Sequence, residues 1–151
     1  MSAPSTTLTR VWPRRLMTLF YWVLAVEFVI GAVTKYWPGP TFFGPAYSAK
    51  FADWGYPPYA RFVVGTIELI CAILLILPDR RFKFLGAATL VLVLTGAVTT
   101  HIVNHDPIYE SVSAPTHLLI MAVIALATWP ADWRDLFRSR SALTAQHGDS
   151  T

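Results

Sequence analysis

The stretch RFVVGTIELICAILLILP, residues 61–78, decides the class of this chain. As a helix it would run ~27 Å, enough to cross most of the hydrocarbon core of a bilayer. Inside it lies one acid, Glu68. Steps of three or four residues carry Arg61 to Gly65, Glu68 and Ala72, so the acid shares a helix face with small residues that permit close packing. That spacing turns Glu68 toward protein and away from lipid. An ionisable residue at this depth costs several kcal/mol unless paired or hydrated, which makes it a candidate functional residue.

The composition agrees. The 151 residues are 54% hydrophobic and 14% charged, with a mean hydropathy of +0.47. A soluble globular domain is about 25% charged, so the chain reads as an integral membrane protein. Its net charge of +3 does not point to nucleic acid, because the basic residues sit at the ends of apolar runs and form no stripe on a soluble surface. The single cysteine, Cys71, lies inside the apolar run and reads as a packing residue; a disulfide framework, a Cys-x-x-Cys pair and a cysteine-based cluster are all excluded. Any redox chemistry would need electrons carried by another group.

Outward from residues 61–78, the pattern is an all-α polytopic bundle of four transmembrane helices, spanning about 15–37, 58–78, 83–103 and 115–130. Residues 1–13 read as a disordered cytoplasmic N-terminus, 14–131 as the membrane domain, and 132–151 as an amphipathic interfacial segment, bearing Trp133, Leu136 and Phe137 among Arg134, Arg138 and Arg140, with a disordered tail. The first apolar run is too long for a signal peptide. Pro38, Gly39 and Pro40 end the first span. Between spans one and two, Phe42, Phe43, Tyr47, Phe51, Trp54 and Tyr56 accompany only Lys50 and Asp53, so a short interfacial helix from about Ala46 to Trp54 is expected, as an aromatic anchor or as a lid. Asp106 to Ser113 reads as a polar loop, with Ser113 and Pro115 as cap and first turn of the fourth span. Nine basic residues (Arg10, Arg14, Arg15, Arg80, Arg81, Lys83, Arg134, Arg138, Arg140) lie on one side and three (Lys35, Lys50, Arg61) on the other, which predicts cytoplasmic termini.

This topology gathers the intramembrane polar groups in the outer half. Glu27 lies about 12 Å below Lys35 and Glu68 about 10 Å below Arg61. Lys35 and Glu68 lean toward each other, because side chains lean toward the N-terminus of their own helix. His101 leans to the same level, and His117 opens the fourth span near it. Three readings stand. Lys35 and Glu68 form a buried pair that sets bundle register, with His101 completing it; or Lys35, Glu68, His101, Glu27 and His117 line a pocket for a small polar molecule or a quinone headgroup; or His101 and His105, at i and i+4, begin a metal site, although no compact ligand motif is present.

Several of these residues together resemble the DoxX family: Gly31 to Lys35 closing the first helix, Gly55 to Pro58 before the second, Gly65-Thr66-Ile67-Glu68, the leucine-rich run to Pro78, the basic turn at Arg80 and Arg81, and His101 ending the third helix. The similarity covers residues 16–129. Gly31 and Lys35 stand one residue further apart than in that pattern, and the family's usual closing pattern is missing at the C-terminal end; both features point to a DoxX-like subgroup. The resemblance implies a four-helix protein of the bacterial inner membrane, some relatives of which are subunits of thiosulfate:quinone oxidoreductase or of complexes handling thiol stress. It further implies Lys35, Glu68 and His101 as the polar core. The resulting expectation is a membrane subunit with no intrinsic cofactor, binding a quinone or a small sulfur-containing molecule beside a partner oxidoreductase subunit, with self-association also allowed. A small proton-coupled transporter using Glu27 and Glu68, and a non-catalytic scaffold, are the alternatives.

Overall fold

The computed structural model describes residues 11–42 and 44–130. The amphipathic segment expected at 132–140 lies outside them, as do the first ten residues. Among the described residues there are six helices and no strands: α1 Val11–Tyr36, α2 Tyr47–Asp53, α3 Ala60–Ile76, α4 Arg80–Val103, α5 Ile108–Ser111 and α6 Ser113–Ala127. The protein is a helical membrane protein. Three stretches, Arg14–Tyr36, Arg80–Val103 and Ile108–Ala127, are long and apolar enough to cross a bilayer. α3 has 17 residues; its ~26 Å falls short of a 30 Å hydrocarbon core. Proline limits it on both sides. Pro57 and Pro58 precede it, and Leu77, held extended at ψ 144° before Pro78, ends it.

Other boundaries differ from the sequence-based expectation for local reasons. α1 begins at Val11, inside the segment expected to be disordered to residue 13, and Pro13 is tolerated because the amides of a first helical turn have no intrahelical acceptor. α4 begins at Arg80 rather than 83, because Asp79 caps it by accepting from the Arg81 amide at 2.9 Å. The basic turn is therefore the first turn of α4. From there Arg80 donates to the Ala127 carbonyl at 2.8 Å at the end of α6, and Lys83 donates to the Leu77 carbonyl at the end of α3. Both bind carbonyls that a helix C-terminus leaves free. The loop expected from Asp106 to Ser113 contains the single turn α5. Ser113 is not a cap: it lies within α6 and its side chain makes no capping bond. The break at Val112 has a cause in Pro115, which has no amide to give the Ser111 carbonyl.

The helices pack in the order α1, α3, α4, α6. Leu24, Ala25 and Phe28 of α1, Cys71, Ala72 and Leu75 of α3, Ala87, Leu90 and Leu94 of α4, and Met121 and Ile124 of α6 make one core. Leu75, Leu90 and Met121 are wholly buried. Glycines set the closest approaches. A Cβ on Gly65 would stand 3.2 Å from the Ala32 carbonyl oxygen, and one on Gly86 would stand 3.1 Å from that of Cys71. Only glycine lets the α1–α3 and α3–α4 backbones come so near. Because α1 and α4 both end where α3 and α6 begin, the polar ends of all four gather at one end of the bundle, and α2 lies there.

Candidate functional site

Three polar junctions occupy that end. The first is buried between α1 and α3. Lys35 Nζ stands 2.7 Å from Glu68 Oε2, with side chains only 10% and 8% exposed. The ammonium also donates to the Gly31 carbonyl at 3.2 Å and lies 4.8 Å from the ring of Tyr47 in α2. Gly31 lies against the pair: a Cβ there would meet the Glu68 carboxylate at 3.7 Å, an ordinary contact. Arg61 closes the end of α1, donating to the Lys35 carbonyl at 2.8 Å and that of Trp37 at 3.2 Å. With an opposite charge, a carbonyl and an aromatic face around it, the ammonium has its partners inside the protein.

The second junction fastens α2 to the loop between α4 and α6. Asp106 Oδ2 contacts His101 Nδ1 at 2.6 Å and accepts from Trp54 Nε1 at 3.1 Å. The indole stands edge-on to the imidazole with centroids 5.3 Å apart. Lys50 pairs with Glu110 at 2.6 Å, and Tyr56 donates to the Thr100 hydroxyl at 2.9 Å, that hydroxyl being engaged with the Gly96 carbonyl. Phe51 is buried beneath α2 against Trp54 and Tyr56. Beside this latch runs a groove of about 390 Å³, lined by Trp54, Tyr56, Thr95, Gly96, Thr99 and Asn104 among others. Gly96 is its floor, with no atom within 4 Å of where a Cβ would stand.

The third junction joins α1 to α6. His117 Nε2 lies 3.0 Å from Glu27 Oε2, and Phe28 meets the imidazole edge-on at 5.5 Å. This pair is the open one: the Glu27 side chain is 49% exposed and His117 23%.

The five residues singled out from sequence are thus all in polar contacts, but not in one site. Lys35 meets Glu68 as their lean requires. His101 joins Asp106, and Glu27 joins His117. The two glutamates each have a basic partner of their own and do not form a pair. His105 stands beyond the end of α4 with φ 54°, so the helical i, i+4 geometry that a His101–His105 metal site needs is not realised. Among the described residues no three His, Cys, Asp or Glu side chains come together.

Several contributors carry no signal in the sequence. Asp106 and Glu110 read as loop charges, and their partners, Trp54 capping α2 and Lys50 within it, lie 52 and 60 residues away. Tyr47 belongs to the segment expected as an anchor or a lid, but nothing in the sequence pairs it with Lys35.

The model of the DoxX-like family matches residues 19–125 of this chain. The chain belongs to the DoxX-like family. The matched region of this DoxX-like protein holds all three junctions, from Glu27 to His117. Comparisons with curated proteins and with solved structures found no match.

Proposed function

We propose that this DoxX-like protein is a membrane subunit of an oxidoreductase assembly that binds a quinone or a small sulfur-containing molecule in the outer half of a four-span bundle. α3 is the fourth span, since it packs between α1 and α4 along its length and tilt or local thinning accommodates a short helix. The basic residues orient it with both termini in the cytoplasm of a bacterial inner membrane. The observation that carries the reading is the groove beside the α2 latch. An apolar wall with a few convergent polar groups suits a ring bearing carbonyl oxygens, and Trp54 and Tyr56 offer the wall while the Thr95, Thr99 and Asn104 side chains offer the polar edge. His101 and Asp106, behind Trp54, are the nearest proton-handling pair. The electrons would come from a partner subunit.

The test extracts lipid-soluble and sulfur-containing molecules from protein purified in mild detergent and compares wild type with Gly96→Leu, which fills the groove. A quinone or sulfur compound carried by wild type and lost in the variant at unchanged melting temperature supports the reading. Wild type carrying neither, when purified from membranes rich in both, overturns it. A scaffold reading draws support from Lys35 and Glu68, whose partners are all internal; it gains if Gly96→Leu leaves function in the cell intact.

A further inference from the structure

At the Glu27–His117 junction the donors and acceptors around the imidazole constrain where its protons sit. His117 Nδ1 lies 2.9 Å from the carbonyl oxygen of Ser113, and Nε2 lies 3.0 Å from the Glu27 carboxyl. A carbonyl oxygen only accepts, so a hydrogen bond to it needs a hydrogen on Nδ1. Two arrangements then satisfy Nε2. Either it too carries a hydrogen and donates to a Glu27 carboxylate, or it is bare and accepts from a protonated Glu27. Both contain the same number of protons, one more than a neutral imidazole beside an ionised carboxylate. The competing arrangement, a neutral Nε2–H tautomer, would take its Nδ1 hydrogen bond from the Ser113 hydroxyl at the longer distance of 3.3 Å and aim a lone pair at the nearer carbonyl.

We infer that Glu27 and His117 together bind one exchangeable proton, forming a proton-exchange site open at the α1–α6 seam. Accessibility distinguishes this pair from Lys35–Glu68, which is closed over. Depth does too. Glu27 lies nine residues from Tyr36, the outer end of its apolar stretch, or about 14 Å along α1, and His117 meets it from the first turns of α6. α1 does not pack closely on α6 as it does on α3. A half-exposed ionisable group at such depth in a span marks a proton or ion path more often than a packing device. The groups facing the pair are Phe28 of α1 and Ser113 of α6; among the described residues no other charged side chain is bonded to either member, and α3 and α4 contribute none. The proton the pair holds is therefore governed by the two residues themselves and by whatever reaches the seam, water or a membrane-dissolved acid. The inference is independent of the oxidoreductase reading, since no ligand enters it.

The test is nitrogen-15 and carbon-13 magnetic resonance on labelled full-length protein in liposomes. The chain has four histidines, so the His117 signals are those lost in His117→Asn. The expected wild-type result is a protonated Nδ1, together with either a protonated Nε2 or a protonated Glu27 carboxyl. Exchange of that proton moves the His117 nitrogen and Glu27 carboxyl signals together, as a shared proton requires. In Glu27→Gln the amide donates to Nε2, and His117 should be a neutral Nδ1–H imidazole. An unprotonated Nδ1 in wild type, or His117 shifting while Glu27 stays still, overturns the proposal. The wild-type spectra decide it even if the variant does not fold.

Discussion

Removing one member of the Lys35–Glu68 pair should be the most destabilising single charge change in the bundle. Both side chains are about nine-tenths buried, and the contact is 2.7 Å. Breaking a buried pair by deleting one partner typically costs about 3–5 kcal/mol, because the survivor is left charged with nothing to balance it. Lys35→Met should reach that full range, since the Glu68 carboxylate has no other hydrogen-bond donor among the described residues. Glu68→Gln should fall near the lower end, about 3 kcal/mol, because the amide oxygen still accepts from Nζ and Gly31 and Tyr47 still face it. The double variant removes both charges and should be far less harmful than the sum, with a coupling of about 2–3 kcal/mol. Reversible unfolding in mixed micelles, titrated with a denaturing detergent, measures all four proteins; 3 kcal/mol is roughly a 150-fold change in the folding equilibrium. If either single variant costs less than about 1 kcal/mol, or the two losses simply add, the pair does not hold α1 to α3 and the reasoning fails.

Other outcomes follow from the same contacts. Gly86→Ala should destabilise by about 1–3 kcal/mol, because its Cβ would press on the Cys71 carbonyl and Leu74, whereas Gly96→Ala should be neutral or stabilise by up to about 1 kcal/mol, its site being open; the same unfolding titration compares them. Asp106→Asn should loosen α2, since one carboxylate oxygen serves both His101 and Trp54, and hydrogen exchange of residues 47–53 should quicken while that of the α3 core is unchanged. Uniform protection of both regions would refute the latch. Arg80→Ala should fray the end of α6 for about 0.3–1 kcal/mol, seen as faster exchange at residues 124–127 alone.

The fold and the site were legible to different depths. Hydropathy and proline placement were enough to mark every long helix to within a few residues, because in a bilayer the backbone must satisfy itself within each segment and the apolar runs announce where it does so. Lys35 and Glu68 were also legible as partners. Each sits on its own helix at a known depth, and the lean of a helical side chain has a fixed sense, so two antiparallel helices at one level aim them at each other. Loop partners had no such periodicity. Asp106, Glu110 and Ser113 lie where the chain turns, and the one-turn helix Ile108–Ser111 was hidden among polar residues.

The amino-acid sequence sufficed for the class, the helix count in the apolar runs, the small-residue face around Glu68 and the identity of the polar residues, since these depend on composition and on one-dimensional period. Which polar residues meet was decided only in three dimensions. Glu27 and Glu68 lie at similar depth, yet one faces α6 and the other α1, because α1 turns its Glu27 face away from its Lys35 face and the rotation of each helix about its axis is set by packing. Depth is a property of sequence position; azimuth is a property of the neighbours. That difference separates a closed ion pair at Lys35 and Glu68 from an open hydrogen-bonded pair at Glu27 and His117.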